Sequence, residues 1–483
     1  MQGVKRNLFF NFLLSLSQVL VPLVSIPYVS RMLDPEGVGK VGFIDGFTYY
    51  FVVLAEAGIM VYGIREVARV RHNPSALKVL VNELISLHLR TSLLSILLYS
   101  LGVWLMWSRI GDWRLVSFSI AFLLTNAWAC EWYFIGQERF GFIALRSIIV
   151  RLAGLVSLLL LIEQPDDYFI YYAIIAGSAI VTLIWNVSVL FREHPFQFRN
   201  SGWRKHLRKL WVTYLISLLY SVPLYLDHVI LRLLSTASIV GYYTFAIRLL
   251  RVGGSLISDS FLVFFPRVAS LHAANDTEGV QERLHQNLQF VFFLAVPMSV
   301  GVFLLAGEIT DLFFGPQFAA AVLNIQILSV YPLLRSFSLF LSNPVMIGHG
   351  FERSFLRSLV FSTAIYLLLA TVAAWQYGGP GICAALVLSD MALVVLNYGS
   401  VNRLMPALRV MDWPLLLRAA LVSALFYPTV LLIRNATDLP FFRLLWSIPA
   451  CVLLYLSVMY IWMPAGTFRD RWHTMVKFAR RKT

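Results

Sequence analysis

The sequence predicts an all-α polytopic membrane protein with about fourteen transmembrane helices. Hydrophobic residues make up 59% of the 483 residues, charged residues only 13%, and the mean hydropathy is +0.74. Soluble proteins typically carry about 25% charged residues, so this chain is far too apolar for that class. Its apolar runs are long enough to cross a bilayer, which takes about 20 helical residues.

The predicted spans are numbered one to fourteen in chain order and are joined by short connections. They cover roughly 8–33, 38–62, 79–107, 115–136, 141–162, 168–191, 209–234, 238–265, 287–307, 320–347, 353–375, 380–402, 413–433 and 441–463. No connection on the predicted outer side is long enough to fold into a domain, so the membrane helices form the body of the protein.

The first two spans carry a polar seam. The hinge Asp34-Pro35-Glu36-Gly37 ends span one and starts span two. Within span two, Asp45 and Glu56 are eleven residues apart, so a helix turns their side chains to within about 20° of each other. Tyr49 lies on the same face. Polar side chains on one face of an apolar helix indicate a pathway rather than a lipid-facing surface.

Basic residues alternate between the two ends of the spans. Five connections on one side contain no Lys or Arg: 34–37, 163–167, 235–237, 308–319 and 376–379. The opposite side is rich in arginine, and only Arg109, Arg114 and Arg434 break the alternation. The positive-inside rule therefore predicts that both termini are cytoplasmic. It also accounts for the net charge of +14 without a nucleic-acid partner.

The charge pattern and the loop lengths predict five regions. An N-terminal six-helix bundle is expected at 1–192, a cytoplasmic linker at 193–208, and a C-terminal six-helix bundle at 209–403. Two additional transmembrane helices follow at 404–465. A basic cytoplasmic tail at 466–483 is expected to bind anionic membrane lipid.

The two predicted bundles are similar in sequence. Val21-Pro22-Leu23 recurs 201 positions later as Val222-Pro223-Leu224, and Arg31 recurs as Arg232 at the same distance. Gly39 recurs as Gly241. Internal repeats are common in transporters, whose substrate sites lie between the halves near the middle of the membrane.

Several spans contain arginine, and an isolated charge at the bilayer centre costs about 2.5–3.5 kcal/mol. These arginines must pair with carboxylates, reach the membrane surface or line a water-filled cavity. Pairing is the better interpretation for Glu83, Glu131 and Arg232, near span ends. A cavity lining is favoured for Arg146, Arg151, Arg248, Arg251 and Arg335. An excess of arginine suits an anionic ligand, because guanidinium forks match phosphate oxygens.

Other kinds of site have no support in the sequence. No phosphate-cradling Gly-Lys motif and no paired Cys/His spacing occurs, so neither a nucleotide cofactor nor a metal is expected. Cys130, Cys383 and Cys451 each lie in an apolar run, which implies no disulfide framework.

Several stretches together resemble one known family. They are Ile26 to Leu33, Glu36 to Gly39, Gly58 to Ala68, Phe265 to His272, and Leu312 to Phe318. The chain resembles the Wzx-type O-antigen flippases, which are polysaccharide transporters of the multidrug/oligosaccharidyl-lipid/polysaccharide exporter superfamily. The similarity covers nearly the whole chain.

The resemblance implies two six-helix bundles in a V-shape around a central cavity, in the bacterial inner membrane. It implies a flippase rather than an enzyme, with an undecaprenyl-pyrophosphate-linked oligosaccharide as cargo and other polysaccharide-assembly membrane proteins as partners. Lipid II flippases of the superfamily have arginines in the first helix. This chain has Gln18 and Pro22 there, which argues against lipid II.

We expect the five arginines named above to neutralise the pyrophosphate and Tyr49 to stack on sugar rings. The candidates for coupling to an H⁺ or Na⁺ gradient are Asp45, Glu56, Asp227, Asp259 and Asp390. Two alternatives stay open. A cation-coupled drug exporter should have an acidic or apolar cavity, and a membrane O-antigen polymerase or ligase should have a large periplasmic loop.

The predicted topology can be checked with a membrane-impermeant thiol reagent. A cysteine placed at Thr236 should react from outside the cell, whereas one placed at Ser201 in the linker should not. The opposite pattern would invert every connection and contradict the span assignment.

Overall fold

The computed structural model describes residues 2–195, 202–258 and 276–462, apart from 407 and 409. In these ranges the regular structure is entirely helical. The first eight helices are α1 Gln2–Met32, α2 Pro35–Glu56, α3 Ile59–Val70, α4 Pro74–Ile110, α5 Trp113–Ala127, α6 Glu131–Gly136, α7 Phe140–Leu161 and α8 Tyr168–Glu193. The later helices are α9 Trp203–Ser221, α10 Asp227–Leu234, α11 Ala237–Ser258, α12 Thr277–Leu304, α13 Ala306–Ile309, α14 Ala321–Leu328, α15 Tyr331–Phe340, α16 Glu352–Tyr377, α17 Gly379–Leu404, α18 Trp413–Ala424, α19 Phe426–Ala436 and α20 Pro440–Trp462.

The all-α polytopic membrane class is confirmed. Twelve helical segments within the described ranges are long and apolar enough to cross a bilayer. Helices α1 and α11, with 31 and 22 residues, are also of membrane length, which is consistent with about fourteen spans. The bundle boundaries at 192, 209 and 403 stay predictions. Asp259 and the tail at 466–483 lie outside the described residues.

Two predicted spans are broken rather than continuous. The span expected at 38–62 is interrupted where Ala57 and Gly58 adopt φ values of 48° and 73°. The span expected at 115–136 is interrupted before Cys130, which has φ 51°. Such left-handed conformations are unfavourable for residues with a Cβ atom. The length of the apolar runs does not reveal the breaks, because each run is long enough for one span, although a glutamate, Glu56 or Glu131, stands directly beside each break.

Helices α2 and α11 touch through their backbones, and the contact is reciprocal. A Cβ atom on Gly39 would lie 1.7 Å from the carbonyl oxygen of Ala237, and one on Gly241 would lie 2.0 Å from that of Pro35. Gly241 follows Gly39 by 202 positions, and Ala237 follows Pro35 by the same number. Small residues permit this close approach of membrane helices.

A second reciprocal contact lies at the same end of the molecule, which we call the hinge face because it contains residues 34–37. Arg31 donates from Nη2 to the carbonyl oxygen of Leu312 at 2.9 Å. The repeat partner, Arg232, donates from Nη2 to the carbonyl oxygen of Arg109 at 3.0 Å. Each arginine therefore binds the opposite half. The carbonyl oxygen that it contacts lies in the connection after the third predicted span of that opposite half. This symmetry supports the internal repeat.

The halves also meet at the opposite end, the basic face. Glu83 on α4 accepts hydrogen bonds from Lys205 Nζ at 2.7 Å and pairs with His206 Nε2 at 2.9 Å. Tyr62 on α3 bonds the other ring nitrogen of His206 at 2.8 Å. The start of α9 is thereby fixed against the first half. Glu83 is paired, as its position near a span end predicted.

The last three helices pack beside α12. Tyr455 donates to the carbonyl oxygen of Phe293 at 2.9 Å, and Arg434 contacts Glu308 at 2.5 Å. Asp412 caps α18, and a hydrogen bond from His285, with others from Gln289 and the backbone, holds the pKa of Asp412 down at about 2. The contact with Glu308 explains how Arg434 is accommodated on the side that has few basic residues.

The glycine contact can be tested by adding one methyl group at a time. Gly39→Ala and Gly241→Ala should each lower the melting temperature by a similar amount, because overpacking typically costs about 1–3 kcal/mol. Gly177→Ala is the matched control, since a Cβ there meets nothing within 4 Å. That change should be neutral or stabilising. Equal melting temperatures for all three variants would contradict the contact.

Candidate functional site

An ion pair joins the two halves in the middle of the membrane helices. Arg248 on α11 places Nη2 3.5 Å from Oδ2 of Asp45 on α2, and its Nη1 donates to the hydroxyl of Tyr171 at 2.8 Å. The Arg248 and Asp45 side chains are 25% and 26% exposed. This pair therefore joins the halves while about a quarter of each side chain stays exposed.

A second pair lies within the second half. Asp227 is fully buried and contacts Arg251 Nη2 at 3.4 Å. It also contacts His228 Nδ1 at 2.5 Å and accepts a hydrogen bond from the Tyr243 hydroxyl. Arg251 gives a further hydrogen bond to the carbonyl oxygen of Leu224 at 2.9 Å. Asp227 is thus surrounded by donors, whereas the Arg251 side chain is still 28% exposed.

The third pair, Arg335 and Asp390, is looser. Their closest atoms are 3.7 Å apart, and the Arg335 guanidinium lies 3.9 Å from the ring centroid of Tyr220. Within the described residues, Oδ2 of buried Asp390 has no hydrogen-bond partner.

The two remaining arginines are held inside the first half. Arg146 is 2% exposed and contacts Glu131 and Asn186 at 2.5 Å each. Its guanidinium is therefore engaged by side chains of the first half, and its predicted part in binding an anion stays a prediction. Arg151 donates to Ser17 Oγ at 2.7 Å, and no carboxylate of the described residues lies within 4 Å of it. Arg151 therefore connects α7 to α1.

Tyr49 also crosses the contact between the halves. Its ring stacks on that of Tyr225, with centroids 4.5 Å apart and planes 16° from parallel. Phe122 covers another side at 5.6 Å. One aromatic face of each tyrosine is therefore occupied by the other tyrosine as long as the halves stay together.

A cavity of about 360 Å³ lies in the first half, beside the two helix breaks. Glu56, Glu131 and His88 contribute its ionisable side chains. His88 is 3% exposed, and its Nε2 has no hydrogen-bond partner among the described residues. Cys130, the left-handed residue at one break, lines this cavity, as does Glu56, which precedes left-handed Ala57 at the other break. Backbone strain of this kind is concentrated at functional sites.

Comparison with known proteins identifies the family. The polysaccharide biosynthesis protein family matches residues 4–272, which is more than half of the chain. The chain belongs to this family.

Two relatives of this polysaccharide biosynthesis protein carry the name O-antigen transporter. The one from Shigella dysenteriae is 22% identical over 401 residues, covering 81% of this chain and 98% of the relative. The one from Escherichia coli strain K12 is 22% identical over 383 residues, covering 76% and 89%. The resemblance found in the sequence is thereby confirmed.

Solved structures share the fold. A lipid II flippase MurJ in an inward closed conformation matches with a TM-score of 0.64 and 14% identity, over 94% of this chain and 98% of that one. An outward-facing multidrug resistance MATE family transporter of the MOP superfamily matches with 0.57 and 16% identity, over 85% and 96%. At these identities the likeness concerns the fold alone.

The sequence did not reveal the neutral partners of the charged residues. Tyr171, Tyr220 and Tyr225 contact Arg248, Arg335 and Tyr49, yet tyrosine is frequent in this chain and carries little information by itself. Asn186 was a better signal, because it is a single amide in an otherwise apolar span.

The structure predicts different roles for two of the arginines. Glu131→Ala should strongly destabilise the protein, because it leaves the buried Arg146 guanidinium without its carboxylate, and loss of one partner of a buried ion pair costs about 3–5 kcal/mol. Arg248→Ala should change the melting temperature little, since Asp45 stays partly exposed to water. Thermal unfolding in detergent measures both. Restoration of stability in the double variant Arg146→Ala, Glu131→Ala would confirm the pair, and a Glu131→Ala variant as stable as the natural protein would contradict it.

Proposed function

We propose that this protein is a flippase for an undecaprenyl-pyrophosphate-linked oligosaccharide of the O-antigen type. The cargo would move from the cytoplasmic to the periplasmic leaflet of the bacterial inner membrane. The family, the names of the two relatives and the flippase-like fold support this class of cargo. No covalent bond is made or broken in this function.

One observation carries the proposal: the partly exposed arginines at the centre are paired with carboxylates. An unpaired guanidinium in this region is costly, so each arginine keeps an anionic partner. When the halves separate, Arg248 loses Asp45. A pyrophosphate then replaces the carboxylate, and it can accept hydrogen bonds from both arms of the guanidinium fork. Arg251 and Arg335, on the same half, would extend this cationic surface.

The sugar part of the cargo would use the aromatic rings. Separation of the halves uncovers the stacked faces of Tyr49 and Tyr225, and these rings can pack against sugar rings. The prenyl chain would stay in the lipid, because only the headgroup needs a polar route. Closure of the halves re-forms the ion pair and the stack, which displaces the headgroup.

The acidic cavity of the first half would couple this cycle to an ion gradient. Glu56 lines the cavity beside a break in its helix, and no basic group of the described residues lies within 4 Å of its carboxylate. Glu131 is neutralised by Arg146. Glu56 is therefore the carboxylate that can take up H⁺ or Na⁺ and release it as the helix break changes.

A cation-coupled drug exporter is the second candidate, and the same cavity favours it because the carboxylate of Glu56 suits a cationic drug. The arginine pairs at the centre favour the anionic cargo. The two functions differ in what replaces Asp45 beside Arg248, since a cationic drug would avoid this position.

Substitutions of Asp45 and of Arg248 should have opposite effects on cargo binding, because the pyrophosphate takes the place of Asp45 beside Arg248. Arg248→Ala should reduce the amount of lipid-linked oligosaccharide that co-purifies with the protein by about 10-fold or more, because charge-assisted bonds contribute about 1.5–3 kcal/mol each. Asp45→Asn should increase it, because the competing carboxylate is removed. Mass spectrometry of the extracted lipid measures both.

Arg353→Ala is the matched control, since Arg353 is an exposed arginine outside the contact between the halves. Arg248→Lys should restore only part of the binding, because lysine lacks the planar fork. A loss of cargo in Asp45→Asn equal to that in Arg248→Ala would mean that the pair is purely structural.

Ion coupling is tested by Glu56→Gln in vesicles that contain the cargo. Transport by the natural protein should increase with an imposed H⁺ or Na⁺ gradient, and the variant should lose this response while still binding cargo. Glu36→Gln is the control, because Glu36 is an exposed residue paired with Lys40 at the hinge face. A full gradient response in Glu56→Gln would exclude this residue as the coupling group.

A further inference from the structure

A basic depression lies on the hinge face, where the two halves meet. It consists of two adjoining hollows of about 580 Å³ each, which share Arg109 and Arg232. Its charged lining residues are four bases and two acids: Lys40, Arg109, Arg114, Arg232, Glu36 and Asp112. The cations therefore exceed the carboxylates.

Both carboxylates are already engaged by the outer two cations. Glu36 contacts Lys40 Nζ at 2.8 Å. Asp112 accepts hydrogen bonds from Arg114 at 3.0 Å and from the Tyr168 hydroxyl at 2.8 Å. Burial alone would raise the pKa of Asp112, but these hydrogen bonds outweigh it and hold the pKa below its usual range. The charge of Arg114 is thus balanced.

Arg109 and Arg232 have no carboxylate in direct contact among the described residues. Within the described residues, no carboxylate oxygen lies within 4 Å of either guanidinium. Arg232 is fixed by the carbonyl oxygens of Arg109 and Ser235, at 3.0 and 3.5 Å, and its buried Nε has no partner among the described residues. Two like charges therefore adjoin, one from α4 of the first half and one from α10 of the second.

The aromatic residues around the depression indicate its depth in the membrane. Trp104, Trp107 and Trp113 are 73%, 48% and 70% exposed, on the end of α4 and the start of α5. Exposed tryptophan rings favour the level of the lipid headgroups. The two arginines consequently lie near the plane in which lipid phosphates occur, on the side whose connections otherwise contain few basic residues.

We infer that Arg109 and Arg232 form a binding site for a phosphate group, separate from the proposed cargo site. A phosphate offers oxygens to two guanidinium forks and supplies the negative charge that the pair lacks. The group can come from a lipid headgroup or from a free phosphate anion. Because one arginine belongs to each half, a bound phosphate would stabilise the arrangement in which the hinge-face ends are in contact.

This inference can be tested on the purified full-length protein in a neutral detergent. The probes are short-chain phosphatidic acid, inorganic phosphate, and short-chain diacylglycerol as the lipid without a phosphate. The apparent Kd of each is read from the shift of the melting temperature with concentration. Phosphatidic acid should stabilise the natural protein in a saturable manner, and diacylglycerol should not.

The variants are Arg109→Ala and Arg232→Ala, with Arg353→Ala as the control. Each of the first two should weaken binding of phosphatidic acid by about 10-fold, equivalent to about 1.4 kcal/mol, and the control should change it by less than about twofold. Arg109 is exposed, so its replacement should not disturb folding. If Arg232→Ala is unstable, Arg109→Glu provides the second measurement and should abolish binding.

The three probes distinguish the possible sources of the phosphate. Stabilisation by phosphatidic acid alone identifies a lipid headgroup, whereas equal stabilisation by inorganic phosphate identifies a free anion. Either outcome supports the site if the stabilisation is lost in Arg109→Ala. Unchanged affinity in Arg109→Ala and Arg109→Glu would overturn the inference, as would equal stabilisation by diacylglycerol.

Discussion

The structure depends on one constraint: a guanidinium among membrane-spanning helices must keep a partner. Arg146 meets it with a glutamate of its own half, Arg151 with a serine, and Arg248 with an aspartate of the other half. The location of the partner decides whether the pair can open. The Arg146 guanidinium is 2% exposed and its partner lies in the same half, whereas a partly exposed pair between two halves can open when another anion is present.

The reciprocal contacts at the hinge face hold the two halves together at that end, so any separation of the halves would occur away from it. Gly39 and Gly241 bring two backbones together, and Arg31 and Arg232 each bind a carbonyl oxygen of the opposite half. Symmetry of this kind provides a pivot, since the same contact is made twice about one axis. The pair Asp45–Arg248 lies farther along the same two helices, and Tyr49, which stacks on Tyr225, is one turn farther on α2. A small rotation at the pivot would therefore separate them by a larger distance.

Part of this arrangement was predictable from the sequence. The membrane helices follow from apolar runs of sufficient length, and the relation between the halves follows from matched positions such as Arg31 and Arg232. The helix breaks at Ala57 and Cys130 were not predicted, because the apolar runs that contain them are long enough for uninterrupted spans, although Glu56 and Glu131 stand directly beside them. Nor were the partners of the arginines: Asn186 is 40 residues from Arg146 in the chain, and only the packing of α7 against α8 brings them together.

On the proposed mechanism, structural pairing and cavity lining describe Arg248 in two different conformations. In the structure, Asp45 lies beside Arg248, at the place that an anionic headgroup would need. A carboxylate suits this position because it is anionic like a phosphate but offers fewer oxygens. The proposed cargo would displace it, so that Arg248 keeps an anionic partner throughout. The same reasoning applies to Arg109 and Arg232, which have no such carboxylate, and this difference is why a phosphate from outside the chain is expected there.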